Sequence, residues 1–254
     1  MTKPDSNPPP GGNRSLLKAI RADIDLHLRS GLYLIGFVVS ALLALPLALL
    51  VPSSRLASAI PAFILICLGS ATMLFMAARI VRERDDGMLD AVLGTPLSAN
   101  NFIAAKLVSL NLLMVFMTVV MLSLLQAGIA LQGGEGPLFS LLDFGFGLIG
   151  LMTLFLLVAL GLIVRFRRLT DFLLPALLLS FFIQMPVLLV LDVFEHWALL
   201  VIPSASPTLI MMGAFGTVDP LLASMGYLGT ALWLVILFVW SKRAFYHYLV
   251  NDTE

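Results

Sequence analysis

VRERDDGMLDAVLGTPLSANNFIAAK, residues 81–106, sets Arg82, Glu83, Arg84, Asp85, Asp86 and Asp90 between two long, almost purely apolar runs. Of the 254 residues, 60% are hydrophobic and 12% charged, and the mean hydropathy is +1.03. A soluble domain of this length cannot hide that much apolar surface, so the chain is expected to cross a membrane several times. Crossing a bilayer takes roughly 20 apolar residues. Residues 31–51, 56–78, 107–131, 144–164, 172–191 and 221–241 meet that requirement. The expected fold class is all-α, a polytopic membrane protein with six transmembrane helices. Residues 81–106 then become the longest connection on one side.

A seventh uncharged stretch, residues 196–218, is also long enough, and the basic residues decide against it. With six spans, Lys3, Arg14, Lys18, Arg21, Arg29, Arg79, Arg82, Arg84, Lys106, Arg165, Arg167, Arg168, Lys242 and Arg243 share one side and only Arg55 the other. That asymmetry is the positive-inside signature of a chain with both termini in the cytoplasm. A full crossing by 196–218 moves Lys242 and Arg243 outside, and Pro203, Pro207, Gly213 and Gly216 interrupt any continuous helix there. The stretch is expected to be a re-entrant or interfacial outer segment, covered by protein where it enters the membrane. A hydrophobic outer loop folded over the bundle is the alternative.

Residues 1–13, MTKPDSNPPPGGN, read as a disordered cytoplasmic tail and not as a secretory signal. In residues 14–29, Leu16, Leu17, Ile20, Ile24 and Leu28 fall within an arc of roughly 120°, with Arg14, Lys18, Arg21, Asp25 and Arg29 opposite. This is an amphipathic helix along the membrane surface, touching lipid, or else a polar extension of the first span. Residues 30–241 form the six-span domain and 242–254 a cytoplasmic C-terminal tail.

Within the opening stretch, residues 79–84 extend the second helix out of the membrane, where Glu83 is expected to pair with neighbouring arginines at little desolvation cost. Gly87 allows a turn. Met88, Leu89, Val92 and Leu93 then make a two-turn apolar stripe with Asp90 opposite, stopped by Gly94, Thr95 and Pro96, and Ser98 caps the next helix. A short helix with an apolar stripe and nothing of its own to bury it against is a candidate docking knob. A solvated loop whose charges only orient the chain explains the arginines but not the stripe.

Other chemistry is sparse. No lysine follows a glycine, so the chain has no phosphate-binding loop for ATP, and Cys67 is the single cysteine. His27, His196 and His247 have no metal-ligand spacing, and no nucleophile and base are legible at membrane depth. No catalytic, metal or cofactor site is expected, nor a nucleic-acid partner. The spans lack ionisable groups except Asp143 near one end, which argues against an ion-coupled carrier. Gln126, Phe181, Phe182, Gln184 and Met185, the last beside Pro186, are polar or adaptable positions suited to a loosely selective path. Each is equally readable as ordinary helix packing. Gly69, Gly145, Gly147, Gly150 and Gly161 permit close helix contact.

Glu83-Arg84, then Gly87, Leu89-Asp90, Thr95-Pro96-Leu97, Phe102-Ile103 and Ala105-Lys106 resemble the signature of bacterial ABC-2 type permeases, the membrane subunits of ATP-binding cassette exporters. RADIDLHLRSGLY, RRLTDFLLPALLLSFFIQMPVLL and KRAFYHYLV are similar to the fluoroquinolone-export subgroup, so the likeness runs from Arg14 to Val250. Met88 departs from it, standing where the family usually has threonine.

The resemblance implies a bacterial inner-membrane subunit that dimerises with a second copy or a close relative and binds two cytoplasmic ABC ATPase subunits. ATP and Mg would be bound by those partners and small amphipathic cargo exported; the chain itself would be no enzyme. It assigns ATPase coupling to Glu83, Arg84, Asp85, Gly87, Met88, Leu89, Asp90, Val92, Leu93, Thr95 and Pro96. It also adds Phe75 and Met76 to the candidate path along spans two and five. Haem, lipid or peptide export, an ion-coupled carrier and a non-transporting scaffold are the alternatives.

Overall fold

The computed structural model describes residues 12–87, 99–166, 168–194 and 196–247, apart from the side chains of residues 12–15 and 99. These residues are helical, without a strand among them. Six helical stretches are long and apolar enough to cross a membrane: Leu32–Leu50, Ser53–Asp85, Asn100–Leu131, Leu141–Ile163, Leu169–Val190 and Pro220–Phe245. They coincide with the six expected spans. The second and third, at 33 and 32 residues, are the long ones. At about 1.5 Å per residue each exceeds the roughly 30 Å hydrocarbon layer. Their charged ends therefore project as helix.

The first span, α2 (Leu32–Leu50), follows the amphipathic helix α1 (Gly12–Arg29) through a tight turn at Gly31, whose φ of 71° favours glycine. The second span is composite: α3 (Leu56–Phe63), a π-helical turn Ile64–Leu68, and α4 (Gly69–Asp85). The third is α5 (Ala99–Leu131) and the fourth α6 (Leu141–Ile163). The fifth is α7 (Leu169–Gln184), continued past Pro186 by the single turn α8 (Val187–Val190). A short helix, α9 (Ala205–Ala214), precedes the sixth span, α10 (Pro220–Phe245), which runs past residue 241.

The core lies where α4 meets α6. A Cβ at Gly69 would stand 2.5 Å from the ring of the fully buried Phe155, so only glycine lets these helices approach so closely. The same device seats α9. A Cβ at Gly147 would lie 2.6 Å from Met211, and one at Gly226 2.8 Å from the Ser206 carbonyl oxygen. Gly161 admits Trp240 in this way, whereas Gly145, expected to do likewise, faces open space.

With ten residues α9 is only about 15 Å long and cannot cross. Its neighbours Gly147 and Gly150 lie roughly two turns inside α6, so residues 196–218 dip into the bundle and return. Backbone groups at this insertion are covered by protein. The Ser140 amide donates to the Ala214 carbonyl at 2.9 Å, and the Ser204 hydroxyl donates to the Ile183 carbonyl.

The helices α2, α7 and α10 stand at the periphery, exposing Leu34, Leu42, Leu174, Leu177, Leu228 and Leu232 among others. In a membrane protein such faces meet lipid or another chain. The unequal burial separates a centre of α4, α5, α6 and α9 from outer helices that each leave one face open.

Candidate functional site

Where the second span ends and the third begins, four ionised side chains from three helices close into a ring. Lys106 Nζ donates to Asp23 Oδ1 at 2.5 Å and to Glu83 Oε1; Arg79 Nη2 donates to the same two oxygens at 2.9 and 2.7 Å. Each acid lies between both cations, so the ring alternates in charge and sums to zero. Ser109 Oγ adds a bond to Asp23 Oδ2 at 3.1 Å. The exposure of Asp23, Arg79, Glu83 and Lys106 is 7, 8, 2 and 4%. Burying four charges is tolerable only because each meets opposite charge at hydrogen-bond distance.

This corrects one expectation. Glu83 does not pair in solvent at little desolvation cost; it is the most buried member of the ring. The face that α1 turns toward the protein is not its apolar arc alone. Leu17 and Leu28 are exposed, whereas Asp23 and His27 are buried, and α1 packs along α5 through that face.

The sequence did carry a signal. Leu16, Ile20, Asp23 and His27 are spaced four, three and four residues apart, one helical face containing two ionisable groups. Burial opposes the charge on Asp23, but Lys106, Arg79 and Ser109 outweigh it and hold its pKa below the usual carboxylate value. Both ring nitrogens of His27 lack a partner. Burial, reinforced by Arg79 and Lys106 against the opposing pull of Asp23, pushes the imidazole down to about 4. His27 is thus neutral near pH 7.

The remaining coupling candidates divide. Arg84 Nη1 donates to the Phe166 carbonyl at 2.6 Å, tying α4 to the end of the fourth span. Asp85 and Gly87 are exposed at the end of α4, where Gly87 turns with φ 67°. Met88, Leu89, Asp90, Val92, Leu93, Thr95 and Pro96 lie outside the described residues, as does Ser98.

The candidate path residues also separate. Gln184 Nε2 donates to Ser70 Oγ at 2.7 Å and to the Ile66 carbonyl at 3.1 Å, bridging the fifth span to the π-helical turn of the second. Phe181 and Phe182 are exposed, in edge contact with each other, and Met185 is half-buried beside them. Phe75 is half-buried and Met76 fully buried in the core. Gln126, on α5, is exposed and lies against Gly136.

Two clefts flank the Gln184 bridge between spans two and five. One, of about 410 Å³, is lined by Ser70, Met73, Leu74, Leu173, Leu177 and Ser180. The other, of about 570 Å³, opens at the far end beside Arg55, Phe63, Ile66 and Asp192. Sequence reasoning missed Arg55 and Asp192 as cleft residues, because nothing local in either segment brings their elements together. The π-helical turn was equally illegible.

Residues 14–253 match the fluoroquinolones export permease protein family. The chain belongs to that family. No curated protein matches it. Family membership and the six apolar helices make this a multi-pass membrane protein and an export permease. The permease has its ionised ring at one end of the second span, one cleft at the middle of that span and the other toward its opposite end.

Proposed function

We propose that this permease is the transmembrane subunit of an ATP-binding cassette exporter, driven by a separate ATPase and moving small amphipathic compounds such as fluoroquinolones outward. The chain sits in the bacterial inner membrane with both termini in the cytoplasm. It pairs with a second copy or close relative along spans two and five, and cargo passes along that seam. Arg84, Asp85 and Gly87, with Met88, Leu89, Asp90, Val92, Leu93, Thr95 and Pro96, meet the ATPase, and the buried Glu83 anchors the start of that segment. ATP and Mg are bound by that partner.

The observation that carries the ATP-driven reading is the anchoring of residues 88–98 at both ends. Glu83 before them and Lys106 after them close one buried ring, so force applied between these points reaches the second and third spans together. A loop that merely orients the chain in the membrane has no need of such an anchor.

The reading is tested by tagging the C-terminus, purifying the chain gently from its native membrane and identifying co-purifying proteins by mass spectrometry. A stoichiometric ABC ATPase is expected, and should be lost from the Leu89→Asp/Val92→Asp variant while membrane insertion persists. A stable protein that captures no ATPase, or normal fluoroquinolone transport by that variant, overturns it.

A further inference from the structure

Asp23 has no place in the ATPase contact or the cargo path, yet among the described residues it is the one whose side chain joins α1 to the ring. Its Oδ1 accepts from both cations of the ring, Arg79 on α4 and Lys106 on α5. Take away that charge and two cations share one acid, Glu83, in a buried site. The ring then carries an uncompensated positive charge, and Arg79 and Lys106 repel across it. Asp23 thereby sets the separation of the two helix ends between which residues 88–98 run, and couples that separation to α1. Ser109, one turn beyond Lys106 on α5, holds the second carboxylate oxygen and fixes the orientation of the first.

We propose that Asp23 is a positioning residue for ATPase coupling: through Lys106 and Arg79 it makes α1 and the facing ends of spans two and three a single rigid lever. The inference rests on the ABC reading above and goes beyond it, since it gives the surface helix a mechanical part. With Asp23 in place, displacement of the connecting segment carries α1 and both spans together. Without it, the ring joins the two spans through the Glu83–Lys106 pair and no longer holds α1, so part of any displacement applied there is absorbed by movement of the two helix ends against α1.

Charge balance and attachment are separable, which makes the role testable. Asp23→Asn alone unbalances the ring. Asp23→Asn/Arg79→Gln restores neutrality, leaving the Glu83–Lys106 pair intact, but α1 stays untied. Hydrogen exchange of the permease in lipid nanodiscs, without any ATPase, reads the joint itself: Asp23→Asn should speed exchange several-fold in residues 16–29 and 99–109. Unchanged exchange there overturns the proposal.

Coupling is read in proteoliposomes holding the permease with its co-purified ATPase, as fluoroquinolone moved per ATP hydrolysed, followed by the drug's own fluorescence. The balanced double variant should keep its thermal midpoint and its ATPase while the ratio falls at least fivefold, whereas Asp23→Glu with Arg79 intact, which keeps all four charges, should retain most of the wild-type ratio. A wild-type ratio in the double variant overturns the positioning role and leaves the ABC reading standing. A wild-type chain that binds no ATPase removes the ABC reading and the coupling role together, and the exchange measurement still decides whether the joint exists.

Discussion

The second span is fastened at two points, one near its end and one near its middle, by opposite means. Near residue 83 four ionised groups from three helices share two carboxylate oxygens, all nearly inaccessible to solvent. Near residue 66 the span departs from α-helical geometry, and one neutral amide, Gln184, reaches across from the fifth span. A buried ring of charges resists change steeply, because any missing member leaves an unpaired charge in a poor solvent. A single amide bond between helices yields easily and can be exchanged for another partner. The first point is built to transmit displacement, the second to part.

The steepest way to break this contrast is to remove a cation from the ring. Lys106→Met leaves two acids facing Arg79 alone, and loss of one partner of a buried ion pair costs about 3–5 kcal/mol. Denaturant unfolding of the purified variant in nanodiscs should show a loss of that order, with reduced membrane yield. A loss under about 1 kcal/mol, as exposed pairs give, would mean that water reaches the ring and that it transmits no force.

Gln184→Leu probes the other point and should cost less. An interhelical hydrogen bond from a polar side chain in a membrane stabilises by roughly 1 kcal/mol, and the Ile66 carbonyl sits in a π-helical turn that can readjust. The expected signature is a small stability loss with a several-fold change in fluoroquinolone transport. A loss as large as that of Lys106→Met, with transport unaltered in the surviving protein, would make the seam a second fixed joint and erase the distinction.

How far the sequence anticipates these two points depends on the range of the interactions. Hydropathy and basic-residue asymmetry are sums over 20-residue windows, and they place all six spans and deny residues 196–218 a crossing of their own. Gly69, Gly147 and Gly161 were recognisable as contact points because small residues within apolar runs have few other uses.

The ring was hidden because its members look like ordinary flanking charge when each is read against its own neighbours. Asp23 in an amphipathic helix, Glu83 among arginines and Lys106 at the start of a span all resemble solvated residues. Only the packing of α1 along α5 brings them within bonding distance. The π-helical turn left no trace beyond Pro61, and the Arg55–Asp192 cleft joins segments far apart in the chain.

His27 offers the mildest perturbation and the sharpest reading of how dry the ring is. Its imidazole is buried with both nitrogens unpartnered, and burial with the nearby Arg79 and Lys106 lowers its pKa to about 4 from the ordinary 6.5. The docked helix holds the neutral ring, whereas a detached helix takes up a proton as soon as pH falls through 6.5. Docking of α1 is therefore fully supported above that value and weakens progressively down to about 4. Asp23, whose pKa is lowered, adds a loss of the same sign, but only as pH falls below the ordinary carboxylate value of 3.8. The charged groups facing His27 are Asp23, Arg79 and Lys106, and the histidine's share of the step is the part that His27→Leu removes. An environment-sensitive dye on Cys introduced at Arg21, with Cys67→Ser, should report that step as α1 loosens. His27→Leu, similar in size and without orphaned nitrogens, should leave stability at pH 7 within about 1 kcal/mol of the wild type and abolish the step. Persistence of the step in that variant would show that a group other than the imidazole controls the docking of α1 in this range, and would overturn the assignment to His27.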